Sequence, residues 1–511
     1  MTRTLGFILG DQLDPRTPEI LGLDREHDTI FMAEVKGESE SPPSHVQRTV
    51  LFLSAMRHAA KRWEEDGWGV RYVEITDPSN THDLEKELER AIDELEPASI
   101  RSIRPGSHRV FGMIHDVVDK HDLGYEVLED PHFTCSLDEF ESWAEGRKEL
   151  TMEYFYRERR KALGILIDDD GKPIGGAWNF DKQNRKPLKD PPLIPDRPGF
   201  TIDEITKQVI RDVSEVLPDL PGSIDHFNWA VTPAQAQAGL NWFIKHALPS
   251  FGDSQDAIWV GNHTLFHALL SPAMNLKLID PMNIVNAAIR AYENGEAPIN
   301  SVEGFVRQII GWREFIRGVY WHEGASYPDR NELGHDGKLP GFYWDGETDM
   351  VCMRDAISGV LEMSYAHHIS RLMVTGNFAL ISGIEPCQVD AWYLGMYTDG
   401  VEWVTTPNTI GMALHADGGV VGTKPYAASG KYIKRMSNAC GSCRYDINAR
   451  SGHSACPFNV LYWDFLDRHR DRFSSNRRMA MILKNLDRMD EDELVQIRVS
   501  AKGFRNEFGI A

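Results

Sequence analysis

The chain has 511 residues, 41% hydrophobic and 26% charged, with a formal net charge of −22. That length supports two or three domains with large cores. The acidity argues against a protein that coats DNA generally, though it leaves room for a local basic groove, because affinity follows phosphate contacts rather than total charge.

The opening stretch MTRTLGFILGDQLD is a short apolar strand that meets Gly10-Asp11 at once. It does not read as a signal peptide, and no run reaches membrane-spanning length. A cytoplasmic monomer with no membrane partner is expected. Residues 1–130 alternate strand-like runs (Leu5–Leu9, Thr29–Val35, Val70–Ile75, Ser99–Ile103, Tyr125–Leu128) with helical ones (Val46–Ala60, Leu84–Leu95). The pattern predicts an α/β domain with a doubly wound parallel sheet. Ligands of such sheets bind beyond the carboxyl ends of the strands. Gly10-Asp11-Gln12 and Glu34–Glu38 fall at such ends, and the lack of G-x-G-x-x-G argues against a dinucleotide there.

Residues 131–225 read as an interdomain linker rich in Pro, Gly and charge, mostly irregular. Within it, Asp168-Asp169-Asp170 suits a solvated turn before Gly171 better than a divalent-ion site. Residues 226–511 carry helical periodicity and few strand signals, which predicts a larger all-α domain.

The helical half holds the chemistry. Tyr365–Ala379 suits a helix on which His368 and Arg371 share a face, while His367 diverges from His368 by about 100°. Trp403–Pro407 is a poor helix interior, so it reads as a loop holding Glu402 and Asn408 near a ligand's polar edge. Cys440-Gly-Ser-Cys443, then twelve residues, then Cys456-Pro457 is a thiolate cluster short of one ligand. Cys352 is the first candidate for the fourth and Cys387 the second. Zinc satisfies this chemistry, while the Cys-Pro and the distant fourth ligand lean toward 4Fe–4S. Basic residues gather late, among them Lys431, Lys434, Arg435, Arg477 and Arg478.

The run HHISRLMVTGNFAL with D-G-x-E-x5-N resembles the flavin pocket of the photolyase/cryptochrome family. KPYAASGKYIKRMSNAC-x2-C and ACPFNVLYWDFL resemble its bacterial iron–sulfur branch. The resemblance covers nearly the whole chain. It implies FAD held by an Arg371–Glu402 pair, with Asn408 facing flavin N5. It implies phosphate contacts from Ser271 and the backbone at Leu269 and Leu270, and a cavity-lining helix with Gln308, Trp312 and Arg313. One extra residue, Gly311, interrupts that helix's family pattern. A 4Fe–4S cluster on Cys352, Cys440, Cys443 and Cys456 follows, and so does a 6,7-dimethyl-8-ribityllumazine antenna at Glu34 and Glu38, with Gly10 and Asp11 beside them. Trp344, Trp392 and Tyr393 are the implied electron carriers. The implied partner is UV-damaged DNA, with a divalent cation as a possible aid to binding. His368, with His367 beside it, would serve light-driven reversal of the (6-4) photoproduct. His368 would act as general acid, its imidazolium favoured by a flavin anion and DNA phosphates. The alternatives are a cryptochrome photoreceptor without repair and a primase-like nucleic-acid-binding module.

Overall fold

The computed structural model describes residues 2–511. Five strands, β1 (Thr4–Phe7), β2 (Thr29–Ala33), β3 (Gly69–Val73), β4 (Ser99–Ile103) and β5 (Gly124–Leu128), form one sheet in the order β3-β2-β1-β4-β5. Every pairing is parallel. Side chains of a strand alternate between faces, and β2 shows it. Phe31 and Ala33 pack with Leu88 and Ile114 of helices Leu84–Leu95 and His108–Lys120. Ile30 and Met32 face helix Val46–Glu65 through Val50 and Leu51. Both faces are covered, as a parallel sheet requires. β1 ends at Phe7 rather than Leu9, so Ile8–Asp11 leave the sheet as a loop at its carboxyl edge.

The connection 131–225 is irregular over more than half of its length and carries three helices, Leu137–Ala144, Met152–Leu163 and Glu204–Val216. Ser136 and Glu139 close a capping box at the first helix. Phe140 and Phe155 then stack against Phe315 of the helical domain, with centroids 6.0 and 5.9 Å away. Helix Glu204–Val216 returns to Val46–Glu65, where Arg57 bonds both Glu34 and Asp212. Asp168 accepts from the backbone N–H groups of Asp170 and Lys172, so that acidic run forms a turn.

Beyond β5 no further strand occurs among the described residues, apart from isolated bridges. The helices carry three π segments, Arg307–Arg313, Arg371–Gly376 and Pro407–Ala413. A π turn holds one residue more than an α turn and is frequent at functional sites. The first contains Gly311, so the extra residue in that run is absorbed as a π turn. Backbone hydrogen bonds dock the two domains: Leu13 N–H to Leu276 O, His45 N–H to Gly395 O and Trp403 N–H to Gly106 O, at 3.0, 2.9 and 3.1 Å.

Candidate functional site

The helix expected from Tyr365 starts only at His368, with His367 extended before it (φ −67°, ψ 156°). The turn sends the two imidazoles apart. His367 is buried and stacks on His267, centroids 4.6 Å apart and planes 5° off parallel, with its Nε2 3.2 Å from Ser370 Oγ. His368 opens onto a cavity that it lines with Arg371, Tyr397, Asp399 and Asn408. His368 is exposed to solvent through this cavity. Loss of hydration, with Arg371 adding to it, pushes its imidazolium down to about 4. These are the protein's own groups alone; the charged form expected from the sequence is the one favoured by a flavin anion and DNA phosphates.

Arg371 pairs with Asp399, not with Glu402. Its Nη1 and Nη2 donate to the two carboxylate oxygens at 2.8 and 3.2 Å, and Nε donates to Ala366 O. Ser271 donates to Asp399 Oδ2 at 2.7 Å, and Asn275 Nδ2 to the Asp399 carbonyl. Ser271 thus supports the ion pair, and its hydroxyl is engaged there. Leu270 is buried and Leu269 takes φ +54°, turning the chain into helix Ser271–Asn275. Glu402–Thr406 is helical rather than a loop, because buried Trp403 and Thr406 anchor it against the cost of its β-branched residues. Asn408 Nδ2 donates to Val404 O, leaving the amide oxygen toward the cavity.

The cavity-lining helix is placed differently from the expectation. Gln308 is exposed and bonds Gly304 O, and Trp312 is half-buried against Phe315. Arg313 turns to the domain junction, where its guanidinium lies 3.9 Å from the Phe133 ring centroid and Nη1 donates to His132 O. None of the three lines the cavity beside His368.

Tyr343, Trp392, Tyr393 and Tyr397 form a path of ring contacts. Trp344 is 39% exposed and follows buried Tyr343, whose ring lies 5.2 Å from Trp392. Trp392 is 5.5 Å from Tyr393, and Tyr393 is 5.3 Å from Tyr397. Tyr393 and Tyr397 line the His368 cavity. Sequence reasoning missed Tyr343 and Tyr397, which carry no motif and declare themselves only by packing.

A second cavity, about 200 Å³, lies between the carboxyl edge of the sheet and the helical domain. Gly10, Asp11, Glu34 and Glu38 all reach it. Glu34 is already satisfied: its oxygens accept from Arg57, Tyr72 OH and the Ile75 N–H. Glu38 pairs with Arg109 at 2.7 Å and stays partly exposed. Burial pushes the Asp11 carboxyl up to about 6, against the pull of Lys277. Glu402 belongs to this cavity, where it accepts from Tyr320 OH at 2.8 Å. Arg48, which no sequence signal singles out, completes the wall.

Cys352, Cys440, Cys443 and Cys456 surround a third, small cavity. Cys135 is buried away from it and Cys387 is exposed, and neither lines it. A Cβ on Gly430 would stand 2.8 Å from Cys456 Sγ, so the glycine leaves room beside the thiol. Among the described residues no three His, Cys, Asp or Glu side chains converge on a point that would hold a single ion. The four thiols line one small cavity.

A family model described as deoxyribodipyrimidine photo-lyase-related protein matches residues 6–229. The chain is 46% identical over 500 residues to a (6-4) photolyase of Agrobacterium fabrum, covering 98% of both chains. A bacterial class III photolyase from Agrobacterium tumefaciens has a similar fold, with TM-score 0.56 at 14% identity, covering 99% of this chain and 98% of that one. A cryptochrome of Synechocystis sp. PCC6803 is similar at TM-score 0.55 and 10% identity, covering 85% of this chain and 89% of that one.

Proposed function

From the premise that this chain belongs to the photolyase-related family, we propose that it repairs the (6-4) photoproduct in UV-damaged DNA using light and bound FAD. The observation that carries this reading is the convergence of His368, Arg371, Asp399 and Asn408 on one cavity. Reduced FAD, when bound and excited, supplies one electron to the lesion and receives it back. Arg371 and Asp399 offer a donor and an acceptor side by side, which suits the hydrogen-bonding edge of the flavin. Asn408 offers an amide oxygen on the same wall. The lesion must leave the duplex to reach such a cavity.

His368 delivers the proton needed as a hydroxyl moves between the pyrimidines. It must carry a proton at that step, a form that anionic flavin and DNA phosphates would favour. His367, locked on His267, places His368 and the lesion. Trp344, Trp392 and Tyr393, with Tyr343 and Tyr397 between and beyond them, carry electrons from the surface toward the flavin. Cys352, Cys440, Cys443 and Cys456 hold a 4Fe–4S cluster that ties the late helices together. The larger cavity takes 6,7-dimethyl-8-ribityllumazine as an antenna, with Arg48, Asp11, Glu38 and Glu402 as its polar contacts. No divalent-ion site is assigned.

The test is illumination of reduced protein with a (6-4)-containing oligonucleotide, scoring restored pyrimidines. Wild type should repair. His368→Ala should keep FAD and lose repair by about a hundredfold or more, the usual worth of general-acid catalysis. Wild-type protein that photoreduces its flavin yet repairs nothing would give the reading to a photoreceptor. Protein without flavin would give it to a nucleic-acid-binding module.

A further inference from the structure

We propose that the sheet-edge cavity and the His368 cavity are thermodynamically coupled through residues 393–408, with Arg48 as the positioning residue that carries the coupling. The proposal rests on the antenna and flavin assignments above.

Residues of this one segment face the two cavities by turns. Tyr393, Tyr397 and Asp399 face the His368 side; Leu394, Gly395 and Gly400 face the sheet-edge side. Val401 and Glu402 then face the sheet edge, and Val404, Thr405 and Asn408 the other side. The segment has little room to shift. A Cβ on Gly395 would stand 2.2 Å from Pro43 O, and one on Gly400 would stand 2.3 Å from Leu394 O.

Arg48 is the hinge pin between the two sites. Its Nη2 donates to Gly400 O and its Nη1 to Ser44 Oγ, both at 2.9 Å. Gly400 directly follows Asp399, the partner of Arg371. The Arg48 guanidinium lies over Phe52 at 4.7 Å, has no carboxylate within ion-pair distance among the described residues, and leaves Nε without a partner. Arg48 is half-buried, and each Nη keeps a second N–H that an acceptor filling the cavity could take. An occupant that bonds Arg48 fixes the guanidinium, and with it the Gly400 carbonyl and the position of Asp399. Because the segment has little room to shift, the position of Asp399 that one ligand favours is the one the other meets, so each should tighten the other.

The experiment uses full-length flavoprotein purified without ribityllumazine. Binding of added 6,7-dimethyl-8-ribityllumazine is followed by its fluorescence polarisation. FAD retention is measured by absorbance after timed desalting, with and without the lumazine. In wild type, saturating lumazine should slow FAD loss about fivefold or more, the lower end of common coupling strengths. In Arg48→Gln the slowing should vanish at lumazine concentrations that saturate the variant. Arg48→Lys keeps the charge but not the two-armed geometry, so it should retain only part of the effect, and it serves if the Gln variant does not fold. Lumazine that binds wild type without slowing FAD loss overturns the coupling alone. Equal slowing in wild type and both variants overturns the role of Arg48. Failure of lumazine to bind wild type overturns the antenna assignment, and the coupling with it.

Discussion

Arg371 and Asp399 pay for their partial burial with a two-pronged pair, and Ser271 steadies the acid. Breaking one side of such a pair is far more costly than never having built it, about 3–5 kcal/mol where burial is complete. Asp399→Asn should therefore lose FAD at least tenfold faster than wild type in a desalting assay. Glu402→Gln should retain FAD, because its carboxylate bonds Tyr320 and faces the other cavity. The reverse ranking would restore Glu402 as the flavin acid. The spacing D-G-x-E offers both acids on the chain, and only the fold distinguishes them, since three residues separate opposite walls. His368 raises a matter of sign. Its pKa sits near 4 with protein groups alone, below the reference of about 6.5. Anionic ligands raise it, and the proton-donating form exists only below the raised value. The repair yield of reduced, lesion-bound enzyme should therefore fall as pH rises through that value, while FAD content stays constant. A yield that rises with pH would exclude His368 as the proton donor.

At the scale of elements, the α/β half is the most legible. Ser99–Ile103 and Leu84–Leu95 form over the spans that their apolar patterns predict, because each has one clear period and local stops. Helix His108–Lys120 goes unpredicted although Val110, Ile114, Val117 and Val118 repeat on one face behind a Ser107 cap. The helix at Glu402 is hidden by Val404, Thr405 and Thr406, whose weak propensity is overridden by packing. The π turns leave almost no trace, except where Gly311 adds a residue to a familiar run. The cysteine spacing is legible to three ligands; of the two candidates for the fourth, the fold puts Cys352, the first choice, on the cavity and leaves Cys387 off it. The glycine of helix Gly430–Met436 tests that cavity. Its Cβ would approach Ile447 Cδ1 to 2.7 Å and Cys456 Sγ to 2.8 Å. Gly430→Ala should lower iron content and the unfolding temperature together, as a cluster whose binding energy is also folding energy requires. Full iron content at wild-type stability would mean that the cradle yields and that the glycine does not shape the site.

At the scale of the whole molecule, a net charge of −22 has to be reconciled with DNA as a substrate. Ion pairing removes much of the late basic run from consideration: Arg468 pairs with Asp464, Arg470 with Asp467 and Asp487, and Arg472 with Glu332. Arg478 lacks a carboxylate partner among the described residues and instead donates to Thr423 Oγ1. Lys424 beside it has its ammonium pKa lowered by burial, then by Arg478 and by Arg185 from the irregular connection. Arg185 already has Asp181 and Asp256 within ion-pair distance, which leaves Lys424 and Arg478 as neighbouring cations without a carboxylate among the described residues, and phosphates would supply the anion. Phosphate contacts release condensed counterions, and each contributes about 0.9 to the slope of log K against log salt on duplex DNA. Lys424→Ala and Arg478→Ala should each weaken binding to lesion-bearing and undamaged duplex alike and reduce that slope by about one. Repair at saturating DNA should stay near wild type, because neither residue lines the His368 cavity. An unchanged slope in both variants would place the DNA on another face, and the exposed, carboxylate-free Lys431, Lys434 and Arg435 would be the next to test.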